Sequence, residues 1–432
     1  MKKIKKGCDS VSQQHNHTEP RIKVMPTDKF KTTIITFKFM APLDEETMTA
    51  RALLSKLLVR ATKQWPTDKA FNRKLSELYG AYVNSFVTKF KDKHVITITL
   101  EIVNERYLKH KDPLFDEGLA LLQQILYHPL VENERFNETF VTQEKTLLKK
   151  KLEAINDNKA QLAFLKLMKN MFGDQPYSYL ASGLIEHIPQ ITPELLYHTY
   201  QSMLENDDCA VYVVGNVDSE EVTDKIKQLF DIKPLQQVSS VIQAQRSKDE
   251  LPQTIVEYDE IDQAKLNIGY RFNTYYGQPD YYTFVVFNTM FGGDPSSVLF
   301  NEVREKQSLA YSVHSQIDGK NGYMFVLSGV SAEKYEVAKD TILAEFEKFQ
   351  RGEFSEEKLE LAKKILISQR NESQDRPKSM VEIAHNQILL PKDLTNGNYG
   401  QKIHDVTKED VIRLTQSAIL DTIYVLTKED EA

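Results

Sequence analysis

A chain of 432 residues with 41% hydrophobic content is too long for one ordinary core at roughly 100–200 residues per domain, and it predicts two to four compact units. Its net charge of -7, with acidic and basic residues interspersed along the chain, leaves no electrostatic footprint for nucleic acid or anionic lipid. Cys8 in a polar segment and Cys209 in an apolar run are the two cysteines, which excludes a disulfide framework and fits a reducing compartment.

The opening MKKIKKGCDSVSQQHNHTEP begins with lysines but never develops the apolar stretch of a signal peptide, and no later segment approaches the ~20 apolar residues of a membrane span. We therefore expect a cytoplasmic protein, with no membrane partner, whose residues 1–25 form a flexible polar tail. From Phe30 the pattern becomes regular. KTTIITFKF places Ile35, Phe37 and Phe39 on one side of a strand with a single dry face. Asp44 to Ala61 spaces Ala50, Leu53, Leu54, Leu57, Leu58 and Ala61 as one apolar helical stripe. AYVNSFVTKF and HVITITLEI read as a hairpin turning at Lys91–Lys93, helical patterns follow through residues 114–170, and AVYVVGNVD followed by SEEVTDKIKQLF closes this half.

Residues 232–253, rich in Gln and Ser, carry no sustained apolar periodicity and are the expected linker. Beyond them the order recurs. QAKLNIGYRF alternates Ala264, Leu266, Ile268, Tyr270 and Phe272, a helical region spans 280–307, and the β-like runs LAYSVHSQ and YMFVLSGV lead through long helices to TIYVLT. The expectation is an α+β protein of two homologous halves, residues 26–231 and 254–432, each an antiparallel-rich sheet packed on helices and facing the other across a cleft. Two unrelated α+β domains would satisfy the periodicity as well.

Metal chemistry needs clustered His, Cys, Asp or Glu at helix or loop spacing. Among the ten histidines only His15 and His17 lie close in sequence, and none repeats at i, i+4. Neither a G-x-S-x-G elbow nor a phosphate-binding glycine loop is present. The most distinctive stretch is FGGDPSSVLFNEVREKQSLAYSVHS, residues 291–315. Gly292 and Gly293 permit a tight turn, Asp294 and Pro295 suit a helix start, and the helix should end near Gln307, bringing Arg304 and Tyr311 toward one cleft. On spacing alone, the favoured reading is Arg304 as a solvated helix residue and Tyr311 as a half-buried strand aromatic.

FGGDPSSVLFNEVREKQSLAYSV resembles the C-terminal signature of the zinc-peptidase family that includes pitrilysin, insulin-degrading enzyme and mitochondrial processing peptidase. MFGDQPYSYLASGLIEHIPQITPELLYHTYQ (residues 171–201) is similar to that family's middle block, and AVYVVGNVDSEEV to its closing strand. The resemblance runs from about residue 30 to the C-terminus and implies duplicated α+β halves, with Arg304 and Tyr311 as a substrate-binding pair. It also implies a zinc motif His-x-x-Glu-His on the first helix, where this chain has ARALLSKLLVRAT. The two His positions and the Glu position correspond to Ala52, Lys56 and Ser55. The third ligand position, a Glu in the family, falls on Lys151 or its neighbour Lys150. No donor set for zinc remains, because zinc needs deprotonated ligands and an ammonium ~4 Å from a metal cation is repelled by several kcal/mol even at an effective dielectric of about 20.

The resemblance therefore implies a non-catalytic subunit without a cofactor of its own, lending Arg304 and Tyr311 to a zinc-bearing homologous partner that acts on a peptide substrate. The alternative is a peptide-binding or scaffold protein without proteolytic output, for example one associated with elongation factor P modification. A protease with a rebuilt active site would need metal ligands that the sequence does not offer.

Overall fold

In the computed structural model, which describes residues 21–109, 112–235, 240–389 and 398–429, the first element is strand β1 (Arg21–Pro26). The polar tail expected over residues 1–25 is corrected at its inner end. A strand so short and polar has little hydropathy signal, and it forms because its backbone pairs in parallel with Asp208–Gly215, from Arg21 opposite Ala210 to Pro26 opposite Gly215. Strand β2 (Thr32–Pro42) follows, then helix α1 (Glu45–Leu58), whose N-cap Asp44 accepts the Glu46 amide at 2.7 Å. All six residues of the expected stripe are buried, and each fully buried leucine contributes about 1.5–3 kcal/mol relative to exposure. After helix α2 (Asp68–Glu77) the hairpin of β3 (Tyr82–Phe90) and β4 (Lys93–Val103) turns where Lys91 adopts φ 54°.

Helix α3 (Leu114–Tyr127), the ribbon of β5 (Val131–Glu132) and β6 (Arg135–Phe136), and helices α4 (Glu138–Glu153), α5 (Lys159–Phe172) and α6 (Pro193–Asn206) lead to β7 (Asp208–Gly215) and α7 (Ser219–Leu229). The second half starts with β8 (Gln253–Tyr258) and β9 (Gln263–Arg271). It continues through α8 (Tyr281–Asn288), β10 (Ala310–Asp318), β11 (Tyr323–Ser331), α9 (Tyr335–Gln350), α10 (Glu356–Ser373), α11 (Pro377–Asn386), α12 (Tyr399–His404), α13 (Lys408–Ser417) and β12 (Ile419–Thr427).

Two five-stranded sheets result, ordered β1-β7-β2-β4-β3 and β8-β12-β9-β11-β10. In each, the outermost first strand runs parallel to the closing strand and every other pairing is antiparallel. Identical order and sense in both halves is the structural form of the repeat legible in the sequence.

The halves hold together by exchanging one helix each. Helix α5 of the first half covers the second sheet, where Leu167, Met171 and Phe172 meet Tyr323, Phe325 and Tyr424. Helix α11 of the second half covers the first sheet, where Val381 and Ala384 meet Met40, Tyr212 and Val214. This exchange overturns the expectation that β2 has one dry face. Thr36, Lys38 and Met40 are buried on its other face because α11 lies there, and the Lys38 ammonium reaches Glu382 of that helix at 2.6 Å. His385 of α11 packs on Phe90 and joins the Tyr212 hydroxyl through Nδ1 at 2.9 Å.

The segment expected to be a linker follows the second half closely in the parts described. The Ala244 amide donates to the Tyr323 hydroxyl at 2.8 Å, and that hydroxyl donates to the Ile242 carbonyl at 2.8 Å. The Gln245 amide donates to the Met171 carbonyl at 3.0 Å, tying the segment to α5 as well.

Candidate functional site

Helix α1 carries the positions that the resemblance aligns with a zinc motif, and a cavity of about 460 Å³ is lined from α1, α4 and β3. Ala52, Ser55, Lys56 and Lys151 all line it, so the alignment of the third ligand position with Lys151 is matched by geometry, whereas Lys150 is not among the lining residues. The donors do not fit a metal. The Ser55 hydroxyl donates back to the Ala52 carbonyl at 2.8 Å, and the Lys56 ammonium donates to the Ser85 carbonyl of β3. Lys151 makes no hydrogen bond or ion pair among the described residues. Glu144, the one carboxylate of the lining, is held by Arg60 at 2.7 Å, which in turn pairs with Asp68 at 3.1 Å. Among the described residues no group of three or more His, Cys, Asp or Glu could hold a metal ion.

Lys56 is exposed as a residue, yet its ammonium end is partly enclosed. Burial, and then the charge of Lys151, lowers its pKa, while Glu144 pulls the other way. Beside the two lysines the lining includes Phe86, Val87, Leu147, Leu148 and Leu180.

Behind it lies a buried network that sequence reasoning missed. Arg51, within the leucine stripe, pairs with Asp207 at 2.7 Å and donates through Nε to His94 Nδ1 at 3.1 Å. His94 Nε2 then donates to the carbonyl of Ala181 at 2.8 Å, on the pocket wall. Gly183 lies against Thr49 of α1 with φ 86°, where a Cβ would stand 2.6 Å from the Thr49 Cα, so this loop can approach α1 only through glycine. The signal for the network was an arginine inside an apolar helical stripe.

Accepting from Arg51, His94 is the neutral Nε2–H tautomer, and burial followed by the Arg51 charge depresses its pKa to about 4. Burial likewise pushes His385 well below its ordinary value, with Lys38, Lys320 and Arg21 adding repulsion. Both rings are bound neutral in the fold and charge more readily once unfolded. Stability is thus expected to fall as pH drops below about 6.5 toward 4, where the unfolded chain takes up protons that the folded chain refuses. Urea midpoints across pH 4.5–7.5 measure this, and replacement of His94 by Gln should flatten the profile; a flat wild-type profile contradicts it.

The second sequence-predicted site lies in the other half. Helix α8 runs into a π-helical turn, Thr289–Gly293, and a second one, Phe300–Lys306, carries Arg304. The expectation of a helix beginning at Asp294 is corrected. Asp294 closes a turn by accepting from the Ser296 amide at 2.8 Å, and helical structure resumes only at Val298. Gly292 serves close approach instead of a tight turn, since a Cβ there would stand 2.7 Å from the Ser315 amide nitrogen of β10. Arg304 is exposed, stacked over Phe300 at 4.6 Å with Glu305 3.6 Å away. Tyr311 sits at a β-bulge between Ala310 and Ser312 of the edge strand β10 and is 64% exposed, so it is not the half-buried aromatic its spacing allowed. The π-helical turn that carries Arg304 packs on β10, the strand that carries Tyr311, and neither residue lines the Lys56 pocket.

Residues 190–366 match the Peptidase M16 inactive domain. A Bacillus subtilis protein named probable inactive metalloprotease YmfF is 37% identical, over 93% of this chain and 94% of its own length. The chain belongs to the M16 peptidase family. A crystal structure of a conserved protein from Enterococcus faecalis shares 30% identity and superposes with a TM-score of 0.87 over 95% of this chain and 97% of that one. The peptidase M16 inactive domain from Pseudomonas fluorescens, at 16% identity and a TM-score of 0.76, covers 94% of this chain and 95% of its own and shows the shared fold. Within the M16 family the chain is a homologue of the inactive class. No helix of its described residues is long and apolar enough to cross a membrane.

Proposed function

We propose that this M16 homologue is the non-catalytic subunit of a heteromeric zinc metallopeptidase, contributing peptide binding to a zinc-bearing homologous partner in the cytoplasm. The observation that carries the reading is an asymmetry between the two halves. The positions that align with the zinc motif hold Ala52, Ser55, Lys56 and Lys151, while Arg304 and Tyr311 match the family's substrate-binding pair and are each exposed, on elements that pack together. An exposed guanidinium with no strong local carboxylate partner can grip peptide carbonyl or carboxylate oxygens. An exposed phenol at a bulge can donate toward an oxyanion that forms in a chamber closed by a second chain. The partner supplies metal and general base.

Purification of the tagged chain from its native host, with identification of what accompanies it, tests the proposal. The expected result is a homologue with an intact His-x-x-Glu-His motif, recovered in near-equal amount, and peptide hydrolysis by the pair that neither chain shows alone. Recovery with non-peptidase proteins only, and no hydrolysis, would favour a peptide-holding scaffold without proteolytic output.

A further inference from the structure

The pocket between α1 and α4 retains a shape and a charge after losing its metal chemistry. Lys56 and Lys151 both line a cavity of about 460 Å³, a size within the ordinary range of small-molecule sites, and they are close enough for the charge of Lys151 to act on Lys56. Lys56 uses one of its three N–H donors on the Ser85 carbonyl, and Lys151 uses none within the described structure. Glu144 is the only carboxylate present, and Arg60 already neutralises it. The lining therefore carries net positive charge. Much of the remaining lining is apolar, and two of its residues, Leu147 at 57% exposure and Phe86 at 37%, are large hydrophobic side chains left open to water. A ligand complementary to both features carries a carboxylate next to an apolar group.

We propose that this pocket binds the C-terminal residue of a peptide, with its carboxylate on Lys56 and Lys151 and its apolar side chain among Phe86, Leu147, Leu148 and Leu180. The peptide end is favoured over a free alkyl carboxylate by the Phe86–Val87 wall, which belongs to β3, the edge strand of the first sheet. A ligand leaving the pocket on that side meets the amide groups of an edge strand, which suit another peptide backbone and not an alkyl chain. The site lies wholly within this chain and does not depend on the heteromeric reading above, so it can be tested with the purified chain alone.

The experiment is calorimetric titration of the full chain with an N-acetylated hexapeptide ending in leucine, the same peptide as its C-terminal amide, and octanoate. The free acid is expected to bind at least about tenfold more tightly than the amide, the minimum for losing one charge-assisted hydrogen bond. Lys56→Met and Lys151→Met should each abolish most of that preference, while Lys150→Met, one residue outside the lining, should leave it intact. Thermal melting verifies the fold of each variant, and Lys56→Gln with Lys151→Gln replaces the methionine pair if either proves unstable. Equal binding of acid and amide overturns the proposal, as does persistence of the preference in the double variant. Octanoate binding more tightly than the peptide, with the same lysine dependence, overturns its assignment to a peptide end.

Discussion

Arg51→Ala is expected to destabilise the protein by about 3–5 kcal/mol, the usual result of removing one member of a buried ion pair. The Arg51 and Asp207 side chains are 4% and 3% exposed, and the guanidinium holds both Asp207 oxygens, His94 Nδ1 and the carbonyls of Phe39 and His94. Burial raises the pKa of Asp207 and Arg51 opposes that shift, so without the guanidinium this carboxylate would take up a proton or remain as an uncompensated buried charge. Urea unfolding measures the loss. A second readout belongs to His94, because the Arg51 charge helps to hold its pKa near 4. Nuclear magnetic resonance titration should find it higher in Arg51→Ala. Replacing both partners by apolar residues, as Arg51→Met with Asp207→Leu, should recover much of the stability, since an apolar pair leaves no charge unpaired. A loss below about 1 kcal/mol in Arg51→Ala would show that the network carries little of the fold. Through Ala181 the same network sets the back wall of the Lys56 pocket, so a large loss would tie that pocket to the core of the half.

The elements that could be read in advance are those whose cause is local. The α1 stripe and the β9 alternation follow from spacing, and the order of elements repeats because each half builds its own sheet. The exchange of α5 and α11 could not be read, because nothing in either helix states that its apolar face meets the sheet of the other half. That exchange also explains the misreading of β2. Lys38 looks like a solvent-facing strand residue in sequence, yet it is 3% exposed beneath α11, where burial lowers its pKa and Glu382 compensates. The candidate sites divide in the same way. Ala52, Ser55, Lys56 and Lys151 became meaningful only through resemblance, and folding then placed all four on one cavity. His94 and Asp207 carry no motif and were recognisable only once Arg51 had been followed to its partners. The π-helical turns escaped as well, since Gly292 marks a close approach to β10 that spacing cannot distinguish from a turn.

If the chain is the proposed half of a heteromeric peptidase, Tyr311→Phe is expected to reduce turnover of the pair roughly 100- to 1000-fold, the effect of deleting one oxyanion donor worth about 2.7–4 kcal/mol. Folding should hardly change. Tyr311 is 64% exposed, and its hydroxyl has no hydrogen-bond partner among the described residues, so its removal should stay within about 0.5 kcal/mol of wild type. Arg304→Ala should act differently. Its stacking on Phe300 and its 3.6 Å approach to Glu305 are surface contacts worth about 1 kcal/mol or less, so stability again changes little, while peptide affinity falls through lost charge-assisted hydrogen bonds. The pair thus separates a turnover effect at Tyr311 from a binding effect at Arg304. If both residues are ordinary surface groups, neither number moves. Steady-state kinetics of both variants with the zinc-bearing partner, beside thermal melts of the chain alone, distinguishes these outcomes. Wild-type turnover in Tyr311→Phe together with wild-type peptide affinity in Arg304→Ala would remove the case for a contributed half-site, and it would leave the carboxylate pocket at Lys56 as the chain's own means of holding a peptide.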